Sequence, residues 1–335
     1  MSFKRLDLED FVVSSDTVTS TVWSNNAVDL TTFYSSSTQT QGSSGEYYIN
    51  VYQTASSGAT AAVQFAISYA DLDGSGTLLF DENVSGKSPS RSVYGQYRTL
   101  VLEDENSPFI FGDSYTGSYF YIVSPDRARY KEKLLPGSLN LILTGGGNTL
   151  HLTDNSSDVT LPTFYGTQRA YQIVSGSNGA AYSGTGYTTS LGSYGLFLPD
   201  TSTIILNGAA LDSVSDGISL GTGRNTNTND NNPQKLFNSI ITGASFKLNS
   251  QETITSDYVF IRTRNSEFNY TENPSFISGS TGEVIYPYFI NNPQTYATTV
   301  GMYNDSNELL AVAKLSKPLI KDFTKESLVR VKLDF

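Results

Sequence analysis

The last eight residues of the chain place four apolar side chains on one side of an extended backbone. Val329, Val331, Leu333 and Phe335 alternate there with Leu328, Arg330, Lys332 and Asp334. This period of two is typical of a half-buried strand. Because a chain end outside the core normally carries polar residues, the alternation predicts a final strand tied into a sheet. Arg330 and Lys332 are predicted on its opposite face.

Two β-rich runs, residues 296–303 and 308–315, precede this strand and are separated by the polar residues 304–307. Asn, Asp and Ser side chains cap tight turns through local hydrogen bonds, so the pattern predicts a hairpin. Lys317-Pro318 predicts the end of its second strand, because proline cannot donate to a central ladder. The hairpin and the last strand are expected to form a three-stranded unit, about the minimum for a stable sheet.

The composition extends the β prediction to all 335 residues. There are 22 Tyr, 18 Phe and 28 Gly, and only 16% of the residues are charged, a balance that favours pleated, half-buried surfaces. The predicted class is all-β, with β-sandwich or meander domains, Gly/Ser/Thr-rich loops and at most one or two short helices. Strands are predicted over residues 17–23, 47–52, 62–69, 91–102, 109–123, 139–143, 237–248 and 258–263. A short helix is predicted over residues 126–134, with an extended segment as the alternative.

Composition also divides the chain into three parts. Residues 1–144 are predicted to form an N-terminal β domain, and residues 235–335 a C-terminal β unit. Between them, residues 145–234 hold fourteen of the 28 glycines, interleaved with Tyr and Ser. This segment is expected to be a β or loop-rich insertion. Its Asn/Thr-rich end, residues 221–233, is predicted to be an exposed linker because it cannot bury apolar surface.

Charge and residue usage exclude several classes of function. A net charge of -11 opposes general binding to nucleic-acid phosphates. The absence of cysteine rules out disulfides, thiolate metal sites and a cysteine nucleophile, and it fits assembly in a reducing cytoplasm. The N-terminus lacks the apolar core of a signal peptide, and no run of about 18 apolar residues predicts a membrane span.

One segment has nearly the spacing of a calcium-binding EF-hand loop. Asp71, Asp73 and Ser75 occupy positions 1, 3 and 5, followed by Gly76 at position 6 and Glu82 at position 12. The preceding residues are predicted to form a strand, whereas an EF-hand requires a helix. The alternative to calcium is therefore an ordinary turn, which Asp-Gly-Ser-Gly also favours.

No catalytic residue and no organic cofactor are predicted. His151 is the only histidine, and no Gly-x-Ser-x-Gly motif marks a nucleophile beside it, so a position on a strand surface is the simpler interpretation. The pairs Gly184/Gly186 and Gly221/Gly223 lack the third glycine of a dinucleotide site. Sequence gives no distance between acidic residues, so a carboxylate pair for glycoside cleavage has no specific signal.

Arg127, Arg129, Lys131 and Lys133 form one basic cluster in an acidic neighbourhood. Two interpretations remain open. The cluster is either a solvated surface that balances nearby acids or a docking patch for an acidic partner subunit.

Two stretches resemble a known family. Residues 300–318, Val-Gly-Met-Tyr-Asn-Asp-Ser-Asn-Glu-Leu-Leu-Ala-Val-Ala-Lys-Leu-Ser-Lys-Pro, are similar to the C-terminal segment of virion structural proteins of cyanomyoviruses, the contractile-tailed phages of cyanobacteria. Residues 88–98 and 129–141 look like the same family. Together these matches cover less than half of the chain, and none contains a catalytic signature.

The resemblance implies a non-enzymatic structural subunit of the virion, made and assembled in the host cytoplasm. Its place would be the contractile tail or baseplate, and its partners other virion proteins or further copies of itself. One alternative is a tail-fibre module that binds a receptor or a host-surface glycan, since residues 164–198 offer aromatic platforms. A polysaccharide depolymerase is a further alternative.

Overall fold

The computed structural model describes residues 3–35, 48–77, 88–188, 190–224, 231–271 and 273–334. The chain forms two compact units. Unit 1 consists of Met1–Thr17 and Thr253–Phe335, and unit 2 is Val18–Glu252.

Strands dominate both units. The strands up to residue 154 are β1 Phe11–Thr21, β2 Tyr34–Ser35, β3 Tyr48–Tyr52, β4 Val63–Asp71, β5 Phe109–Phe111, β6 Tyr115–Gly117, β7 Tyr119–Pro125, β8 Lys133–Leu134, β9 Asn140–Gly145 and β10 Asn148–Asp154. The later strands are β11 Thr163–Tyr165, β12 Gln168–Ser177, β13 Ala180–Ala181, β14 Gly195–Leu198, β15 Thr203–Asn207, β16 Phe246–Lys247, β17 Asn249–Thr263, β18 Thr295–Tyr303, β19 Leu309–Lys321 and β20 Ser327–Asp334.

The prediction of an all-β fold is confirmed, since 43% of the residues lie in strands and 15% in helices. Four short α-helices occur in the described residues, whereas at most two were expected. They are α1 Pro89–Leu102, α2 Gly208–Asp212, α3 Asn232–Gly243 and α4 Pro287–Asn291.

Unit 2 is built on a twelve-stranded sheet whose strand pairs are antiparallel. Ten strands follow the order β16-β9-β10-β12-β14-β15-β7-β4-β3-β2, and β11 and β13 also pair with β12. In the middle of the sheet, Ile205 of β15 pairs with Ile122 of β7, and Ile67 of β4 pairs with Val123. These central strands are continuous apolar runs because both faces of the sheet are covered.

Alternate residues of the central strands enter two separate cores. Phe120 and Ile122 pack on one face with Val93 and Tyr94 of α1. On the other face, Tyr121 belongs to the core that also holds the α3 residues Leu236, Phe237 and Ile240. The sheet therefore forms a layer between α1 and α3. Polar side chains lie at the ends of several of its strands.

Both longer helices fall where strands were predicted, so the strand predictions are wrong over residues 91–102 and 237–243, whereas residues 246–247 do form strand β16. In α1, Pro89 occupies the first turn, and Val93, Tyr97 and Val101 recur at helical spacing on the face toward the core. In α3, Pro233 again lies in the first turn, and the apolar spacing Leu236, Phe237, Ile240 is helical. Burial of one helical face overrides the β propensity of the aromatic and β-branched residues.

The helix predicted over residues 126–134 is also absent. Asp126 accepts a hydrogen bond from the backbone N–H of Ala128, and only a 3₁₀ turn, Arg127–Arg129, forms. Lys133–Leu134 then pairs with β17 as strand β8. This segment therefore follows the extended alternative.

The observed division into units differs from the three parts expected from composition. Residue 145 ends β9, which forms a hairpin with β10, and residues 234–235 lie within α3. Both expected boundaries thus fall inside secondary structure of unit 2. The Asn/Thr-rich segment is described at residues 221–224 and 231–233, while its middle lies outside the described residues. Asn232 and Pro233 are buried at the start of α3, so the prediction of an exposed linker is wrong at this end.

Within unit 1, β20 pairs with β17 and not with the hairpin. Val331 pairs with Val259, and Val329 with Ile261. Exposure alternates along β20 from Ser327 to Asp334, with Val331 buried, so the predicted C-terminal strand is confirmed over these residues. Phe335 lies outside the described residues. The hairpin and β20 were expected to form one three-stranded sheet, but β20 instead lies in a sheet with the strand order β1-β17-β20.

The predicted hairpin is formed by β18 and β19, which make a separate two-stranded sheet. Asn304 Oδ1 accepts the backbone N–H of Glu308 across the turn. Strand β19 continues through Pro318 and does not end before it as predicted. Residues 315–318 face only Thr298 of β18, so the ladder is irregular there. A proline is tolerated at such a bulge, since no ladder donor is required there. No helix in the described ranges combines the length and apolar composition needed to cross a membrane.

Candidate functional site

Asp71, the first residue of the predicted calcium loop, closes a turn at the end of β4. Its side chain is fully buried. Its Oδ1 accepts the backbone N–H groups of Asp73, Gly74 and Ser75 at 2.9, 3.0 and 3.3 Å. A carboxylate that gathers three consecutive N–H groups stabilises a turn of this kind.

Arg224 neutralises this buried carboxylate. Its Nε donates to Asp71 Oδ2 over 2.6 Å, and Tyr69 also donates to Oδ2 over 3.2 Å. The guanidinium group lies 4.7 Å from the centre of the Tyr119 ring, so one of its faces is covered. Sequence reasoning missed Arg224, since its only local signal is a lone cation in an Asn/Thr-rich run.

In its described part, the predicted calcium loop forms a turn that is held by hydrogen bonds to Asp71. Both oxygens of Asp71 accept hydrogen bonds, Ser75 is buried, and the exposed Asp73 carboxylate lies 3.4 Å from Arg224. Within the described ranges, no group of three or more His, Asp or Glu side chains is placed to hold a metal ion. Glu82 lies outside the described residues, and calcium binding stays a prediction.

A tyrosine network connects the same region to α2. Tyr119 donates to Asp212 Oδ2 over 2.9 Å, and Asp212 Oδ1 accepts from the backbone and hydroxyl of Thr222. Tyr121 and Thr222 share a hydrogen bond of 2.8 Å. Burial raises the pKa of Tyr121 well above its ordinary value, and burial together with Asp212 does the same for Tyr119. Both hydroxyls therefore remain protonated, and they hold Thr222 in place, Tyr121 directly and Tyr119 through Asp212.

The predicted basic cluster is only partly available to a partner. Arg127 and Lys131 are exposed. Arg127 lies 4.9 Å from the Tyr130 ring and donates to the Tyr130 carbonyl. Arg129, by contrast, donates to Ser24 Oγ over 2.8 Å, and Lys133 pairs with Glu132 at 3.2 Å. A docking role for this cluster stays a prediction.

His151 lies on the exposed side of β10, the surface position that the sequence favoured. Its ring centre is 6.2 Å from that of Tyr182 in an edge-to-face arrangement. This contact places the histidine beside an aromatic cleft.

The cleft opens over β12 and is named here the tyrosine cleft. It has a volume of about 310 Å³. Its lining includes Tyr182, Tyr187 and Tyr194, the loop of residues 183–186, and Asp216. Among the described residues that line it, Asp216 is the only charged side chain. The surface thus combines aromatic rings with hydroxyl groups and carries no described positive charge.

Unit 1 presents a different kind of surface on the β18–β19 hairpin. Its exposed side, named here the hairpin face, consists of Thr299, Gly301, Leu310, Val312 and Lys314. Leu310 is 67% exposed and Val312 57% exposed. The opposite side, which includes Val300, Ala311 and Ala313, is partly buried. The hairpin face therefore presents two exposed apolar side chains and one positive charge.

These features define a two-unit all-β protein with an apolar sheet surface on one unit and an aromatic cleft on the other. No protein family, curated protein or solved structure matches the chain.

Proposed function

We propose that this chain is a non-enzymatic structural subunit of a phage virion, located in the contractile tail or baseplate, and that unit 1 makes its assembly contacts. The observation that carries the proposal is the hairpin face. The similarity of residues 300–318 to virion structural proteins of cyanomyoviruses supports it, because this stretch contains most of the hairpin.

The hairpin face has the physical properties of a surface that becomes buried on assembly. Leu310 and Val312 lie next to each other on one side of β19, and the Tyr303 ring covers Gly301, which pairs with Val312. Burying an apolar side chain of this size contributes about 1.5–3 kcal/mol. An exposed apolar strand pair is otherwise a site of aggregation.

The proposed occupant is a neighbouring virion subunit with an apolar surface and acidic groups at its rim. Lys314 lies on the hairpin face, and the exposed Lys317 follows on the same strand. No acidic side chain belongs to the hairpin face. Charge complementarity would orient the partner, while the apolar side chains would supply most of the binding free energy.

Mass spectrometry of purified particles tests the first part of the proposal. The chain should be present at a fixed ratio to the tail proteins. Its absence from purified particles would refute the virion role.

The assembly role is tested by particles produced with the double variant Leu310→Asp and Val312→Asp. The variant should melt like the parent protein, because both side chains are exposed, but it should not enter particles. Leu161→Asp is the matched control, because Leu161 is 78% exposed on unit 2. Equal incorporation of the double variant and the control would show that the hairpin face is not the assembly surface.

A further inference from the structure

We propose that the tyrosine cleft of unit 2 binds a neutral saccharide of one or two rings. This inference concerns a different unit from the assembly surface and does not depend on the virion role.

The walls of the cleft are held in place without a ligand. Tyr187 donates its hydroxyl to Asp113 over 3.0 Å, and Tyr194 donates to the backbone carbonyl of Asp216. The loop of residues 183–186 is fastened to β12, where Ser175 donates its N–H to the Gly186 carbonyl over 2.7 Å. A site organised before binding loses less conformational entropy when a ligand enters.

Gly186 is required at the base of this loop. Its φ of +71° lies in the left-handed region that disfavours other residues. A Cβ atom at this position would approach Ala181 Cβ to 2.7 Å and Val174 Cβ to 2.9 Å. The close approach of the loop to the sheet therefore shapes the cleft.

Tyr182 supplies a platform for a sugar ring. The residue is 62% exposed, although its backbone N–H is held by the Ser175 carbonyl at 3.0 Å. The edge-to-face contact with His151 supports the ring from one side. An exposed aromatic ring on a fixed backbone can stack on the apolar C–H face of a pyranose. A tyrosine side chain also loses little conformational entropy when a ligand binds to it.

Polar groups around the platform match the hydroxyl groups of a sugar. Ser183 and Thr185 are exposed, and their hydroxyls make no hydrogen bond within the described residues. Asp216 also lines the cleft and adds acceptor oxygens to it. Its Oδ2 accepts from Ser215 over 2.8 Å, which orients the group.

Charge and size select the ligand class. No lysine or arginine occurs among the described lining residues, and the chain has a net charge of -11, so phosphorylated or acidic sugars would be repelled. A volume of about 310 Å³ is at the small end of ligand sites, which suits one or two sugar rings. A shallow site with one platform is expected to bind with a Kd of about 1 mM.

Saturation-transfer NMR and titration with neutral hexoses, N-acetylhexosamines and their disaccharides test the proposal. At least one sugar should receive saturation on its ring C–H protons and show a saturable Kd. Tyr182→Ala should weaken its binding by tenfold or more, whereas Tyr182→Phe should retain it, because the ring supplies the platform. Asp216→Asn should weaken binding less than Tyr182→Ala.

Tyr288→Ala is the matched control, because Tyr288 is also an exposed tyrosine, at 64%, and belongs to unit 1. It should bind sugar like the parent protein. Thermal melts of all variants would exclude unfolding as the cause of a loss. If no neutral sugar in the panel binds at millimolar concentration, or if Tyr182→Ala and Tyr288→Ala bind equally, the proposal is refuted. Neither result would alter the outcome of the particle analysis.

Discussion

Arg224 donates a hydrogen bond of 2.6 Å from Nε to Oδ2 of Asp71, although 153 positions separate the two residues in the chain. Asp71 is fully buried, and the Arg224 side chain is 33% exposed. The pair joins the end of β4 to a segment that follows α2. It therefore closes unit 2 across a long chain separation.

Replacing Arg224 by alanine should destabilise unit 2, because the carboxylate of Asp71 would stay buried without its cation. Removing one partner of a buried pair typically costs about 3–5 kcal/mol, and the partial exposure of Arg224 places the expected loss at about 3 kcal/mol. Urea unfolding followed by the fluorescence of Trp23, the only tryptophan and a buried residue of unit 2, measures this loss.

Arg127→Ala is the control for that experiment, because Arg127 is exposed and should change stability by no more than about 0.5 kcal/mol. Repeating the unfolding with calcium and with a chelator tests the calcium prediction. If Arg224→Ala leaves stability unchanged while calcium raises it, the loop is a metal site and the ion pair is incidental.

Asn232→Ala should also destabilise unit 2. Asn232 is fully buried at the start of α3. It accepts the N–H of Gly223 over 2.9 Å and donates to the carbonyls of Gly223 and Gly76 over 2.8 and 3.2 Å. Loss of these bonds leaves buried backbone groups unpaired, at a cost of about 1–3 kcal/mol.

The matched control is Asn238→Ala in the same helix, because Asn238 is exposed and contacts only Gln234 among the described hydrogen bonds of its side chain. Equal denaturation midpoints for the two variants would show that the ends of the Asn/Thr-rich segment are dispensable, as the sequence alone suggests.

Removal of residues 328–335 should unfold unit 1 or cause it to aggregate. The truncation deletes the partner strand of β17 from Leu328 onward and the buried side chain of Val331. Each fully buried side chain of this type contributes about 1.5–3 kcal/mol, and the exposed edge of β17 would then be free to pair with other chains. Far-ultraviolet circular dichroism during heating, together with light scattering, reports both effects.

The control is the double variant Arg330→Ala and Lys332→Ala, which should melt like the parent protein. These side chains lie on the other face of β20, where their charged groups approach the Tyr258 ring at 5.5 and 6.0 Å. Exposed contacts of this kind add little stability. A truncated protein with an unchanged melt would mean that β20 is ordered only by a partner.

Asp322 should make unit 1 less stable at low pH. Hydrogen bonds from the hydroxyl and N–H of Thr324 hold the pKa of this carboxyl at about 2. Because the unfolded pKa of an aspartate is about 3.9, the stabilisation is complete well above that value and is lost as the pH falls toward 2. Comparing acid unfolding of the parent and Asp322→Asn isolates this contribution; parallel curves between pH 4 and pH 2 would contradict it.

Local patterns account for the parts of unit 1 that could be predicted from sequence. The alternation in β20 and the turn residues before Glu308 act over a few positions, so a single sequence contains them in full. The pairing partner of β20 could not be inferred. β17 ends more than sixty positions before β20 begins, and no local signal links the two strands.

The two longer helices show where propensity misleads. Two Tyr, two Val and one Thr occur in α1, and their β propensity favours a strand there. The helical signal is also present, since Pro89 precedes apolar residues at Val93, Tyr97 and Val101. This helical spacing favours a helix only when its apolar side chains can pack on a face of the large sheet. That face exists only after the distant strands have paired.

The candidate sites depend on the same long-range contacts. The aromatic segment that contains Tyr182 and Tyr187 could be identified from its composition, but the participation of Asp216 and His151 could not. Likewise, the turn at Asp71 was visible in the sequence, whereas its partner Arg224 was not. Chain separation, more than residue chemistry, limits what the sequence shows.

Unit 2 is one continuous stretch of chain placed between residues 17 and 253. In unit 1, the flanking segments belong to the neighbouring strands β1 and β17. In unit 2, Ser20 Oγ lies 2.8 Å from Ser250 Oγ, so the chain departs and returns at almost the same point. Both strands continue past the boundary into unit 2, since β1 ends at Thr21 and β17 begins at Asn249. Exchange of residues 22–248 for another module with adjacent ends would therefore leave β1 and β17 whole and keep their order with β20, and only the pairing of β8 with β17 would be lost.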